Sequence, residues 1–152
     1  MDFDFASALV SNTEETLISP EDIFSKMTSG KQLWLGQGDA LREWDKERTK
    51  NDILLSMDTG MGKTIVGLLI SYSLMNERKM KSIYVCASKQ LVEQTVSEAN
   101  QLGITVASYT NGEFTNEFEV NQCKVPLITT YRSLFNGKSR FHKEEIGGIV
   151  FD

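Results

Sequence analysis

The stretch Ile53-Leu-Leu-Ser-Met-Asp-Thr-Gly-Met-Gly-Lys-Thr-Ile-Val66 decides how the chain is read. Ile53 to Met57 reads as a short buried strand, and Gly60 and Gly62 follow as a turn. Ile65, Leu68, Leu69, Tyr72 and Met75 then recur at helical spacing. A strand that passes through a glycine turn straight into a helix has one strong chemical use. The glycines let successive backbone N–H groups point into one cavity, and the helix adds its unpaired N–H groups and positive dipole end. Lys63 then places a flexible charge near the β- and γ-phosphates of a nucleotide, and the Thr64 hydroxyl is positioned to ligate Mg²⁺. Asp58, Thr59, Gly60, Met61 and Gly62 complete the expected phosphate cradle, so the segment predicts a nucleoside triphosphate site with Mg²⁺. Met57 stands where the usual pattern has its first glycine. The dinucleotide pattern Gly-x-Gly-x-x-Gly fails, because Ile65 occupies its third glycine position.

Outward from this loop the pattern alternates. Ser82–Ala87, Ile104–Ala107, Val125–Thr129 and Gly148–Phe151 read as further strands. Leu91 to Leu102 and about Tyr131–Phe135 read as helices between them, with a polar stretch at 108–123. Strands joined by helices imply a mostly parallel sheet covered on both faces. Upstream, Ser19-Pro20-Glu21-Asp22 has the form of a helix start running to about Thr28, and Leu41 and Trp44 mark a helix over about 37–48. Residues 1–18 lack a clear period and read as a flexible extension. The expected organisation is an acidic extension over 1–30 and a nucleotide-binding domain over 31–152.

The 152 residues suffice for one domain of ordinary size, and 40% apolar residues argue against wholesale disorder. Net charge is -5, of which residues 1–25 carry -6, leaving the body at about +1 and close to neutral. Bulk charge therefore excludes a polybasic binder and decides nothing about a nucleic-acid partner. Two cysteines exclude a disulfide scaffold, and Cys86, in an apolar run, reads as core. His142, the sole histidine, has polar neighbours and reads as a surface residue. Trp34 and Trp44 read as core residues rather than base-stacking platforms. With no secretory signal and no membrane-length apolar run, the expected placement is soluble and cytoplasmic, with no membrane partner.

A strand ending in a carboxylate, Ile149-Val-Phe-Asp152, supplies the acid that a phosphate-loop NTPase needs for Mg²⁺. With this the chain resembles the start of a superfamily 2 helicase or translocase, of the DEAD/DEAH-box and type III restriction-subunit kind. Asp58–Thr64 resembles motif I of that family, Ala87–Gln94 motif Ia, Thr129–Leu134 the later Thr-bearing motif, and Ile149–Asp152 the first half of motif II. The resemblance implies a P-loop NTPase with a RecA-like parallel sheet, helices on both faces, cut after the Walker B strand. It implies catalytic roles for Lys63 and Asp152, Mg²⁺ ligation by Thr64 and Asp152, and adenine recognition by Gln37. It also implies nucleic-acid backbone contacts for Ser88, Lys89, Gln90, Thr129, Thr130 and Arg132. Ser88 and Thr129-Thr130 equally fit plain helix caps.

The implied partners are DNA or RNA, with DNA preferred, and a second RecA-like domain bearing arginine fingers. The implied activity is ATP-driven strand separation or translocation, with negligible hydrolysis by these residues alone. In the family's sheet one strand lies between those of motifs I and II, so without it the chain is expected to be marginal or aggregation-prone. The competing readings are a P-loop kinase or signalling ATPase of another class, a Swi/Snf-type DNA translocase, and an interaction module with a decayed nucleotide site.

Overall fold

A computed structural model describes residues 16–136 and 145–152. Its elements are α1 (Pro20–Met27), α2 (Leu35–Glu47), α3 (Lys63–Arg78), β1 (Lys81–Cys86), α4 (Lys89–Leu102), β2 (Ala107–Thr110), β3 (Glu113–Phe114), α5 (Glu117–Asn121), β4 (Leu127–Thr130), α6 (Tyr131–Phe135) and β5 (Ile146–Phe151). The strands form one sheet in the order β3-β2-β4-β1-β5. β1 runs parallel to β4 and β5, β4 parallel to β2, and only β3 is antiparallel. The expected mostly parallel α/β sheet is present.

The crossovers explain the layers. β1 leads through α4 to β2 in one direction, and β2 leads through α5 to β4 in the other, so right-handed connections put these helices on opposite faces. One face buries Tyr84, Cys86, Val106 and Ile128 under α3 and α4, with α1 and α2 outside them. The opposite face buries Ile83, Val85, Ala107 and Leu127 under the short α5 and α6. That second cover is thin, and Ile149, Phe151 and Phe135 remain exposed beside it. Ile23 and Phe24 of α1 are buried in the larger core, and Ser19 caps α1 as its side chain accepts from the Asp22 N–H.

Several expectations are corrected. Ile53–Met57 forms no strand of the sheet; Ile53, Leu55 and Met57 pack on the core, while Leu54 is 94% exposed. A groove of about 350 Å³ separates Ile53–Leu55 from Gly148–Phe151, and no described strand fills it, so the segment has no ladder to enter. The third strand begins at Ala107, three residues later than its apolar lead-in suggests, because Ile104 and Val106 are buried before the ladder starts. The polar stretch after it contains a hairpin. Asn111 (φ 53°) and Gly112 (φ 81°) form the two-residue turn between β2 and β3, a backbone geometry that suits Asn-Gly.

Residues 16–18 are anchored rather than loose. The Leu17 carbonyl accepts from Asn76 Nδ2 at 2.7 Å, and the Ile18 carbonyl from Ser73 Oγ at 2.5 Å. Residues 1–15 and His142 lie outside the described residues. Cys86 and Trp44 are buried as expected, and the Arg48 guanidinium stands 4.8 Å from the Trp44 ring centre. Trp34 is instead 64% exposed at the N-cap of α2. No helix among the described residues is long and apolar enough to cross a membrane.

Candidate nucleotide site and strand groove

α3 opens on Lys63 and Thr64, with Gly62 (φ 72°) as its N-cap and Gly60 (φ 82°) two residues earlier. Both glycines adopt the left-handed conformation, which turns the chain sharply enough to aim the helix start at one space. No side chain caps the helix, so the first-turn N–H groups lack an intrahelical or side-chain acceptor. A Cβ on Gly60 would meet nothing within 4 Å, so the loop is open to solvent at that position. A helix start with no side-chain cap and Lys63 as its first residue is a combination that would suit phosphate.

Gln37 supports this loop from below. It is buried, its Oε1 accepts from the Trp34 N–H at 3.1 Å, and its Nε2 donates to the Gly62 carbonyl at 3.5 Å. A Cβ on Gly62 would collide with that same amide. Both ends of the Gln37 amide are thus engaged with the protein's own backbone.

Asp152 follows β5 at the carboxyl end of the sheet, its N–H donating to the Val85 carbonyl at 3.0 Å. Tyr84, at the centre of β1, is sensitive to both this corner and the loop. Burial first, and Asp152 second, push the Tyr84 hydroxyl well above its ordinary range, while Thr64 lowers it, so it stays neutral. Its ring fits because position 67 has no side chain: a Cβ there would come within 2.6 Å of Tyr84 Cε2. Sequence reading missed Tyr84. The only signal was a polar tip in a buried strand.

Among the described residues no group of three or more His, Cys, Asp or Glu side chains could hold a metal ion. A divalent cation here would take one hydroxyl and one carboxylate from the protein and its other oxygens from phosphate and water. That donor set suits Mg²⁺.

A separate groove of about 490 Å³ lies at the ends of β1, β2 and β4. Ser88, Lys89, Thr130 and Arg132 line it together, with Tyr109 to Gly112 of the hairpin on the far side. Ser88 Oγ accepts from the Leu91 N–H at 3.3 Å, and Thr130 Oγ1 from the Ser133 N–H at 3.2 Å, so both cap the helices that follow them. Lys89 pairs loosely with Glu93 at 3.8 Å. Gln90 is exposed but is not among the groove's lining residues. Thr129 is fully buried, and its hydroxyl donates to the Tyr109 carbonyl at 2.7 Å, tying β4 to β2. The hairpin was the unread half of this groove, and its signal was the Asn111-Gly112 pair.

A five-stranded, mostly parallel sheet with helices on both faces, and a glycine turn leading into α3, are those of a RecA-like P-loop fold. The family described as type III restriction enzyme, res subunit, matches residues 31–152, and the chain belongs to that family. Members are superfamily 2 helicase-like, ATP-dependent enzymes of nucleic acid, and such ATPases generally use ATP and Mg²⁺. No curated protein matches the chain.

Proposed function

We propose that this chain is the ATP-binding part of a nucleic-acid helicase or translocase, with DNA preferred over RNA. The observation that carries the reading is the uncapped start of α3 behind two left-handed glycines. The Asp58–Gly62 backbone and Lys63 hold the phosphates of ATP, and Thr64 and Asp152 hold Mg²⁺. When bound, Mg²⁺ neutralises charge on the phosphate oxygens. Gln37 fixes the loop, which its two backbone hydrogen bonds support; an additional contact to adenine belongs to the family resemblance. Ser88, Lys89, Thr130 and Arg132 contact the backbone of a bound strand, Gln90 assists from the groove's flank, and Thr129 positions β4. The preference for DNA rests on the family's description as a restriction enzyme subunit. A second RecA-like domain is the expected partner, supplying arginine fingers for hydrolysis.

Titration with a fluorescent ATP analogue and Mg²⁺ tests the nucleotide site. Binding should weaken at least tenfold in Lys63→Ala and on chelation of Mg²⁺, with circular dichroism unchanged. Hydrolysis by these residues alone should stay near background. The protein that joins them to a second domain should be stimulated by single- or double-stranded DNA. Binding that ignores Lys63→Ala would overturn the assignment.

A further inference from the structure

α6 carries two faces of different chemistry. Arg132 and Asn136, at spacing i, i+4, line the strand groove. Tyr131 and Phe135, one position earlier on each turn, fall about 100° around the helix. Their rings meet Phe151 of β5 in a cluster that neither the groove nor the nucleotide site uses. Centroids lie 5.7 Å apart for Tyr131 and Phe151, 6.4 Å for Tyr131 and Phe135, and 6.5 Å for Phe135 and Phe151. The corresponding interplanar angles are 14°, 17° and 5°. Three near-parallel rings at nearly equal spacing cannot form a column, because the outer two would then lie twice as far apart as neighbours. They lie side by side, and their faces form one stepped ledge. Phe135 is 68% and Phe151 54% exposed. The Tyr131 hydroxyl donates to the Asp152 carbonyl at 3.4 Å, which pins the ledge to the end of β5.

Exposed aromatic faces gathered in one place mark a contact surface. What suits this one is set by its neighbour. The groove on the adjoining face of α6 carries Arg132 and the loosely paired Lys89, and no Asp or Glu is among its described lining residues. A basic groove for phosphates beside an aromatic surface for a π-face is the pairing that a single strand of nucleic acid fits, because its bases are free to turn out and stack. A duplex offers only base edges, within its grooves. We propose that the ledge of Tyr131, Phe135 and Phe151 stacks a base of a single strand whose backbone lies in the groove. This depends on the strand-groove reading of the function and adds a base contact to it, which makes the substrate single-stranded. Every base has a π-face, so the ledge holds the strand without reading its sequence.

Fluorescence anisotropy of the full chain with two labelled DNA oligonucleotides of equal length tests the contact. One is an ordinary single strand, and the other has the same sugar-phosphate backbone without bases. The ordinary strand should bind about tenfold tighter, a size that one base stacked on an aromatic ring supports. Phe135→Leu, which keeps apolar bulk but removes the ring, should erase that difference, and Phe135→Trp should keep it. Because Phe135 is exposed, neither change should move the thermal midpoint. Arg132→Ala should weaken both strands alike. Equal affinity for the two strands, together with indifference to Phe135→Leu, overturns the ledge and leaves the groove reading in place. Binding of neither strand overturns both. Concentration-dependent self-association that Phe135→Leu abolishes, with strand affinities unchanged, assigns the ledge to a second copy of the chain and overturns the proposal as well.

Discussion

Tyr84 lies with its ring edge against the backbone of Gly67, so close that a single methyl group at position 67 would stand 2.6 Å from Tyr84 Cε2 and 3.2 Å from Val150 Cγ1. The contact seats α3 on β1. Gly67→Ala should therefore destabilise the fold by about 1–3 kcal/mol, the usual range for overpacking a filled core. Urea denaturation measures the loss. An unchanged midpoint would show that Tyr84 swings aside at no cost.

Gln37 distinguishes loop support from base recognition. If its amide acts through the Gly62 carbonyl and the α2 N-cap, Gln37→Ala should weaken ATP and GTP binding by similar factors. It should also lower stability by about 1 kcal/mol through the lost cap. Competition titrations with both nucleotides decide the matter. A selective loss of ATP binding would favour direct reading of adenine.

In the strand groove, charge and caps separate by assay. Arg132→Ala should reduce affinity for single-stranded DNA and lower the salt slope by about one, with the thermal midpoint held. Ser88→Ala should cost about 1 kcal/mol of stability through the cap of α4. Thr129→Val should also cost about 1 kcal/mol, because it removes the buried hydrogen bond from the Thr129 hydroxyl to the Tyr109 carbonyl.

Alkaline pH reads out the two buried phenols. Tyr84 and Tyr72 are both raised by burial, Tyr84 further by Asp152, above the ordinary tyrosine value of 10.0. The folded state therefore holds its protons where the unfolded chain releases them. Stability should be full below about pH 10 and fall as pH rises beyond it. Urea midpoints at pH 8 and 10.5 measure the decline. Tyr84→Phe should reduce it, leaving the part that Tyr72 contributes.

The open groove between Ile53–Leu55 and β5 leaves an unpaired sheet edge beside exposed Leu54, Ile149 and Phe151. Such an edge favours pairing between chains. Light scattering should show concentration-dependent association that Leu54→Lys reduces without loss of helicity.

The phosphate loop was legible because its residues do local work. Two glycines, a lysine and a threonine fix backbone geometry and charge within one turn, and no distant contact is needed to read them. Most helices were legible from periodicity and caps, Ser19 and Ser88 among them, whereas α5, inside the polar stretch at 108–123, was not. What stayed hidden depends on neighbours remote in sequence. Ile53–Met57 has the composition of a strand, but a strand also needs a ladder, and none reaches it here. Thr129 and Thr130 look alike in sequence. The pleat turns one into the core against Tyr109 and leaves the other to cap α6. Tyr84 could be read as core, but the influence of Asp152 on its phenol spans 68 positions and arises only once β1 and β5 pair.

α3 spans 16 residues, about 24 Å from Lys63 to Arg78. One end carries the phosphate loop, and the other adjoins Cys123. The chain thus contains its own optical ruler. A dye on Cys123 and an acceptor-bearing nucleotide would stand within energy-transfer distance along one rigid rod, and any bending of that rod during turnover would register as a change in transfer without an engineered cysteine.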